Sequence, residues 1–368
     1  MRLVKVRKAR NPSLGIEALN LYSLLQPANR AESVLGDDRD RAAFLNLVGQ
    51  GIAEALSDQR RIHGRWTQDL FEAVTVSLDS IRLIKEEDSG SFFFDHSRTP
   101  LHLPDFRVVL DDSRQLLVEV KNVAPSGIKR KQKLRASQVE AAQGYARLTG
   151  AELYLAHFWA FSSRWTLVNS SVLADEGEFR TLTPATAFKE NEMALLGDFY
   201  IGTQSLEFVL SFVADPDEPQ RVVTEADGTE SVHLRIDHDE IYSEGVLLTN
   251  DVERRTASTF MMFSGLDMQE RVTRNEDGTV RSFDYVFVPF GEGATAHLAP
   301  ISGIFSVRYI LATKAEDGSI TKIRHDPDAN LARLIPDEYW FAPQHTLIMQ
   351  KFVQQPLSSA NDPRHPVG

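Results

Sequence analysis

Residues 103–123 read LPDFRVVLDDSRQLLVEVKNV. Two short, largely apolar runs, 106–110 and 116–120, flank the polar turn Asp111-Asp112-Ser113-Arg114, the pattern of a β-hairpin. A hairpin centred near Asp112 or Ser113 sets Asp105 opposite Glu119 or Lys121. Side chains alternate along a strand, so Glu119 and Lys121 share one face while Val118 and Val120 take the other. Two carboxylates and an ammonium therefore converge on one patch of an otherwise apolar hairpin. Charges in such a place are costly unless they pair or hold an ion.

Upstream, residues 38–56 carry acidic residues in a first helical turn and Phe44, Leu45, Val48, Ile52 and Leu56 at spacings of three and four. A second helix is expected over 66–78, with Thr67 as its cap and Leu70, Phe71 and Val74 on its apolar side. Residues 80–85 then read as a strand, and 91–95, with Phe92, Phe93 and Phe94, as a core strand. Downstream, Lys129, Arg130, Lys131, Lys133 and Arg135 precede a helix whose start is marked by Ser137 and Glu140 at capping-box spacing and whose end is marked by Gly150. Cations beside a helix N-terminus suit phosphate, with a solvated loop as the alternative. Strands over 152–161 and 164–173 follow.

The order helix, strand, hairpin, helix, strand, strand over residues 66–173, with Pro104-Asp105 and Glu119-Val120-Lys121 on its hairpin, resembles the PD-(D/E)XK nuclease superfamily. That group includes many restriction enzymes and Holliday-junction resolvases. The resemblance covers about a third of the chain and implies an α+β fold with an αβββαβ restriction-endonuclease-like core. It also implies that Asp105 and Glu119 ligate Mg²⁺, or Mn²⁺ in its place, and that Lys121 orients or helps deprotonate a water. Members of the family often add an acid from the preceding helix; Glu72 is the matching position, although it lies nearly opposite the stripe formed by Trp66, Leu70 and Val74. Some members also carry a glutamine and a tyrosine four apart on the second core helix. Here Tyr145 is present but position 141 is Ala, which leaves Gln138 and Gln143 as substitutes. DNA is the partner implied, with Gln138 and the basic run as its contacts.

The 368 residues contain no cysteine, which excludes disulfides, thiolate catalysis and cysteine-ligated metals. No apolar run reaches membrane-spanning length and no signal peptide is recognisable, so a soluble cytoplasmic protein is expected. The net charge of −12 is unevenly spread. Residues 1–170 hold 24 basic against 20 acidic residues, and the remaining 198 hold 16 against 32. That asymmetry points to two tasks. The expected division is a basic arm (1–37), a nuclease-like domain (38–178), an acidic, mostly antiparallel β-domain (179–355) and a loose tail (356–368).

In the second half, strands are expected at 205–213, 232–236, 246–248, 258–263, 283–288, 305–312 and 346–352, after a short helix in AFKENEMALL. Asp227-Gly228, Asp277-Gly278 and Asp317-Gly318 supply the turns. The residues Asp237-His238-Asp239-Glu240 and His325-Asp326 read as turn chemistry rather than metal ligands. No phosphate-binding loop, dinucleotide fingerprint or nucleophile elbow occurs. The expectation is a metal-dependent DNA endonuclease, in the manner of restriction or phage-defence effectors. Its β-domain would serve targeting, assembly or regulation. The alternative is a non-catalytic binding protein on a degenerate nuclease fold.

Overall fold

The computed structural model describes residues 21–22, 38–87, 100–127, 130–289, 296–328, 331–341 and 346–356. The basic arm apart from residues 21–22, the phenylalanine triplet 92–94, Lys129 and residues 357–368 lie outside these. The first half contains helices α1 (Asp38–Ser57) and α2 (Gln59–Ser77), strands β1 (Ile81–Glu86), β2 (Phe106–Leu110), β3 (Gln115–Val123) and β4 (Gln132–Arg135), helix α3 (Ala136–Leu148), and strands β5 (Glu152–Trp159) and β6 (Arg164–Asn169). Strands β7 (Ala174–Glu176) and β8 (Phe179–Leu182) follow, with β8 pairing β4. Five strands form one sheet in the order β1-β2-β3-β5-β6, antiparallel except for the parallel pair β3–β5.

Alternation along β3 and β5 sends side chains to two different cores. Leu116, Val118 and Val120 join Trp66, Leu70, Phe71 and Val74 of α2 on one face. Leu117 and Val123 join Val139, Ala142 and Ala146 of α3 on the other. The sheet is thus covered on both faces, and Glu119 and Lys121 point to the α3 side, in phase with Leu117.

Several local expectations need correction. The helix carrying Leu70 begins seven residues before Trp66, and its cap is Asp58, whose carboxylate accepts from the N–H groups of Arg60 and Arg61. Thr67 is buried inside that helix and donates its hydroxyl to the His63 carbonyl. Helix α3 starts at Ala136 straight from β4, with Arg135 at the N-cap and no side-chain cap bond, so Ser137 and Glu140 form no capping box. Leu45, Ile52 and Leu56 of α1 stay exposed instead of forming a buried stripe.

The second half holds α4 (Pro184–Lys189), β9 (Tyr200–Thr203), β10 (Phe208–Ala214), β11 (Arg221–Thr224), β12 (Glu230–His233), β13 (Ile236–Ser243), β14 (Val246–Leu247), α5 (Asp251–Phe263), β15 (Asp267–Arg274), β16 (Val280–Val288), β17 (His297–Pro300), α6 (Ile301–Thr313) and β18 (Met349–Phe352). Among the described residues its strand pairs are all antiparallel, and its larger sheet runs β14-β13-β10-β16-β15. The Asp-Gly turns at 227–228 and 277–278 close the hairpins β11–β12 and β15–β16, with positive φ at both glycines.

Two expected strands are helices. Residues 258–263 end α5, which Asn250 caps through the N–H groups of Val252 and Glu253. Its buried residues Glu253, Thr256, Ala257, Phe260 and Met261 have helical spacing. Residues 305–312 lie in α6, which buries Ile301, Ile304, Phe305 and Tyr309 within an apolar run; such a run reads the same in a strand as in a helix. The expected strand 232–236 is split between β12 and β13.

Helix α6 packs on α2, and one core cluster runs from Trp66 and Trp165 to Ile304, Phe305 and Tyr309. Asp198 anchors the start of this helix: its carboxylate accepts from the Ser302 N–H at 3.0 Å and from the Ser302 hydroxyl at 2.5 Å. Burial outweighs those bonds and pushes the Asp198 carboxyl up to about 6. The folded state therefore binds a proton that the unfolded chain releases above the ordinary carboxylate pKa. Wild type should gain on Asp198→Asn by up to about 3 kcal/mol as pH falls from 7 to 4. Urea midpoints at both pH values check this; a difference that does not change with pH would contradict it.

Candidate active site

The β2–β3 register pairs Phe106 with Val118, which puts Asp105 beside Glu119 at the open end of the hairpin. The Asp105 carboxylate is nearly buried and fixed from two sides. Its Oδ2 accepts the Val120 N–H at 2.6 Å, and its Oδ1 accepts Gln68 Nε2, from α2, at 2.6 Å. On β3, Lys121 Nζ donates to Glu119 Oε1 at 2.6 Å, and His102 Nε2 stands 3.8 Å from Glu119 Oε2. Burial by itself would raise the Glu119 carboxyl, but the His102 imidazole and the Lys121 ammonium overcome it and hold the group below its ordinary value. Pairing with Glu119 correspondingly raises His102, against the opposing effect of burial.

Asp105, Glu119 and Lys121 are thus neighbours, while Glu72 belongs to a different group. With Asp69 and Glu86 it forms a cluster whose carboxylate oxygens lie within 4.8 Å of one another. Arg65 bridges Asp69 at 3.2 Å and Glu86 at 2.6 Å, and Arg324 pairs with Glu72. These guanidinium groups offset much of the negative charge that an ion would otherwise neutralise. The α2 side chain that reaches Asp105 is Gln68, one turn before Glu72. As an uncharged residue on a helix surface, Gln68 gave the sequence no signal. His102 stood three residues from Asp105 and was legible only by that proximity.

The basic run is partly spoken for. Arg130 is exposed, and Lys131 pairs with Glu176 at 2.5 Å. Lys133 lies over the Phe179 ring, and Arg135 occupies the N-cap of α3. Arg180, on neighbouring β8, pairs with Glu140 and Asp175. Gln138 is exposed on the first turn of α3, and Gln143 donates to Ser170 Oγ. Tyr145 donates to Glu87 Oε1 at 2.5 Å, and Arg107 holds the same carboxylate. These bonds hold Glu87 below its ordinary value although burial alone would raise it. Tyr145 therefore ties α3 to the end of β1.

No protein-family model and no curated protein sequence matches the chain. Among solved structures, Archaeoglobus fulgidus Hjc, a Holliday junction resolvase from an archaeal hyperthermophile, bears a weak likeness to it. That likeness has 22% identity and a TM-score of 0.23, and it covers 26% of this chain and 72% of that one. Among the described residues, no helix is long and apolar enough to cross a membrane.

Proposed function

We propose that the chain is a metal-dependent endonuclease that hydrolyses DNA phosphodiester bonds on a PD-(D/E)XK-like αβββαβ core. The observation that carries this reading is Asp105 and Glu119 side by side on the hairpin, with Lys121 bonded to Glu119. Two carboxylates on neighbouring strands are a hard-oxygen donor set suited to Mg²⁺ or Mn²⁺. Asp105 and Glu119, with a main-chain carbonyl, would hold the ion. When bound, it would supply charge to polarise the scissile phosphate and to acidify a water. Gln68 and the Val120 N–H fix the Asp105 carboxylate, and Lys121 offers an ammonium that orients the attacking water or takes part in its deprotonation. The basic run from Lys129 to Arg135, with Gln138, is the proposed DNA contact.

In this reading residues 38–178 cut, and the acidic half, 179–355, governs targeting, assembly or restraint, as a restriction or phage-defence effector in the cytoplasm would require. A strongly acidic half binds DNA poorly and suits control better than contact. A non-catalytic binding role on the same fold is the second reading. It is favoured by the protein partners that already engage Asp105 and Glu119.

Substitution at α2 separates the two acidic groups. Gln68→Ala removes the bond that Gln68 makes to Asp105 Oδ1 and should lower metal-dependent cleavage roughly tenfold or more, as loosening a positioned group does. Glu72→Gln removes a partner of Arg324 and should leave the rate within about twofold. Initial cleavage rates of the two variants check this. The reverse ranking would move the metal centre to Asp69, Glu72 and Glu86.

A further inference from the structure

His157 lies within β5, fully buried, with neither Nδ1 nor Nε2 bonded to any described residue. In the parallel β3–β5 register it is the partner of Lys121, so the two side chains leave neighbouring strands on the same face. Its ring stacks on Trp159, with centroids 6.0 Å apart and planes at 29°. The Trp159 indole N–H is satisfied by Thr166 Oγ1 at 2.9 Å, so the adjacent indole is paired while the imidazole is not. A buried polar group without a partner is destabilising, and Leu or Phe would fill this space without that cost. Burial, reinforced by the nearby Lys121 charge, lowers the imidazole to about 4. The ring is therefore neutral at ordinary pH and keeps one proton-free nitrogen that accepts.

Lys121 supplies the matching donor. Its ammonium has three N–H groups and is held here by Glu119. Once Glu119 is engaged by a cation, that anchor is lost. We propose that His157 is a positioning residue: an acceptor that takes the Lys121 ammonium when Glu119 turns to a metal ion and keeps the lysine aimed at the reaction. The proposal rests on the nuclease reading and goes beyond it in assigning a second, buried partner to the lysine.

The test compares full-length wild type with His157→Leu, which removes both nitrogens, and His157→Gln, which keeps an acceptor. Urea unfolding, side-chain ¹⁵N spectra of His157 before and after Mg²⁺, and plasmid cleavage are recorded together. The expected result is a Leu variant at least as stable as wild type that cuts roughly tenfold or more slowly, with Gln restoring most of the rate. In wild type, Mg²⁺ should shift one ring nitrogen of His157 as it begins to accept. Wild type that cuts while its His157 signals stay fixed, and a Leu variant that cuts equally well but unfolds more easily, would make His157 a packing residue and overturn the proposal. Wild type whose urea midpoint does not rise with Mg²⁺ and that gives no cleavage would instead remove the parent reading, and this inference with it.

Discussion

Lys121→Ala and Asp105→Asn should each lower metal-dependent DNA cleavage by roughly 100- to 10,000-fold, the range expected when a group that positions or transfers a proton is lost. Neither change should unfold the chain. The Lys121 side chain is over a third exposed, and its pair with Glu119 adds little stability of its own. Asn at 105 keeps an oxygen for the Val120 N–H, which an alanine would leave unpartnered. Initial rates on supercoiled plasmid, with circular dichroism as a folding control, measure the effect. Cleavage at the wild-type rate in either variant would show that the β2–β3 hairpin is not the reacting centre.

The second large effect is on stability. Trp66 is fully buried on α2, and its indole N–H donates to Thr313 Oγ1 at 3.0 Å, across to α6. Its ring meets Phe158 edge-on at 6.0 Å and Tyr309 at 5.7 Å. Trp165 makes the parallel connection from β6, donating to Ser306 Oγ at 3.0 Å. Trp66→Ala should therefore cost about 3–5 kcal/mol, the range for deleting a buried large aromatic. Because the cavity would open into a core shared by residues from both halves, the loss should appear as a lower midpoint of one common unfolding transition. A chain cut after about residue 178 should expose this apolar face and fail to fold. Urea denaturation followed by tryptophan fluorescence and circular dichroism checks both points. Separate transitions for the two halves, with only one moved by the substitution, would contradict the account.

The hairpin was legible because two short apolar runs flank the polar turn Asp111-Asp112-Ser113-Arg114, but the turn left Asp105 opposite either Glu119 or Lys121, and only the observed pairing of Phe106 with Val118 sets it beside Glu119. The turns at Gly228 and Gly278 were legible for a similar local reason, since φ is positive at both. Helices α5 and α6 were misread because Phe, Met and Ile in a short apolar run suit a buried helix and a buried strand alike. In α5 a helix start was written in Asn250, Asp251 and Glu253, a cap followed by an acidic first turn, but the aromatic end of the segment outweighed it. Long-range pairing left no trace in the chain order. Nothing in the sequence ties Arg324 to Glu72 across 252 positions, or Gln68 to Asp105 across 37. His157 sat inside LYLAHFWAF and read as one more core residue. Its two unpartnered nitrogens are a property of the packed sheet.

The most direct test of the central claim is cleavage of supercoiled plasmid by the full-length chain in Mg²⁺, set against the same reaction in EDTA. The account predicts nicked or linear product with the ion and none without it. Intact plasmid under both conditions, with no thermal stabilisation of the protein by Mg²⁺ or Mn²⁺, would contradict a metal centre at Asp105 and Glu119.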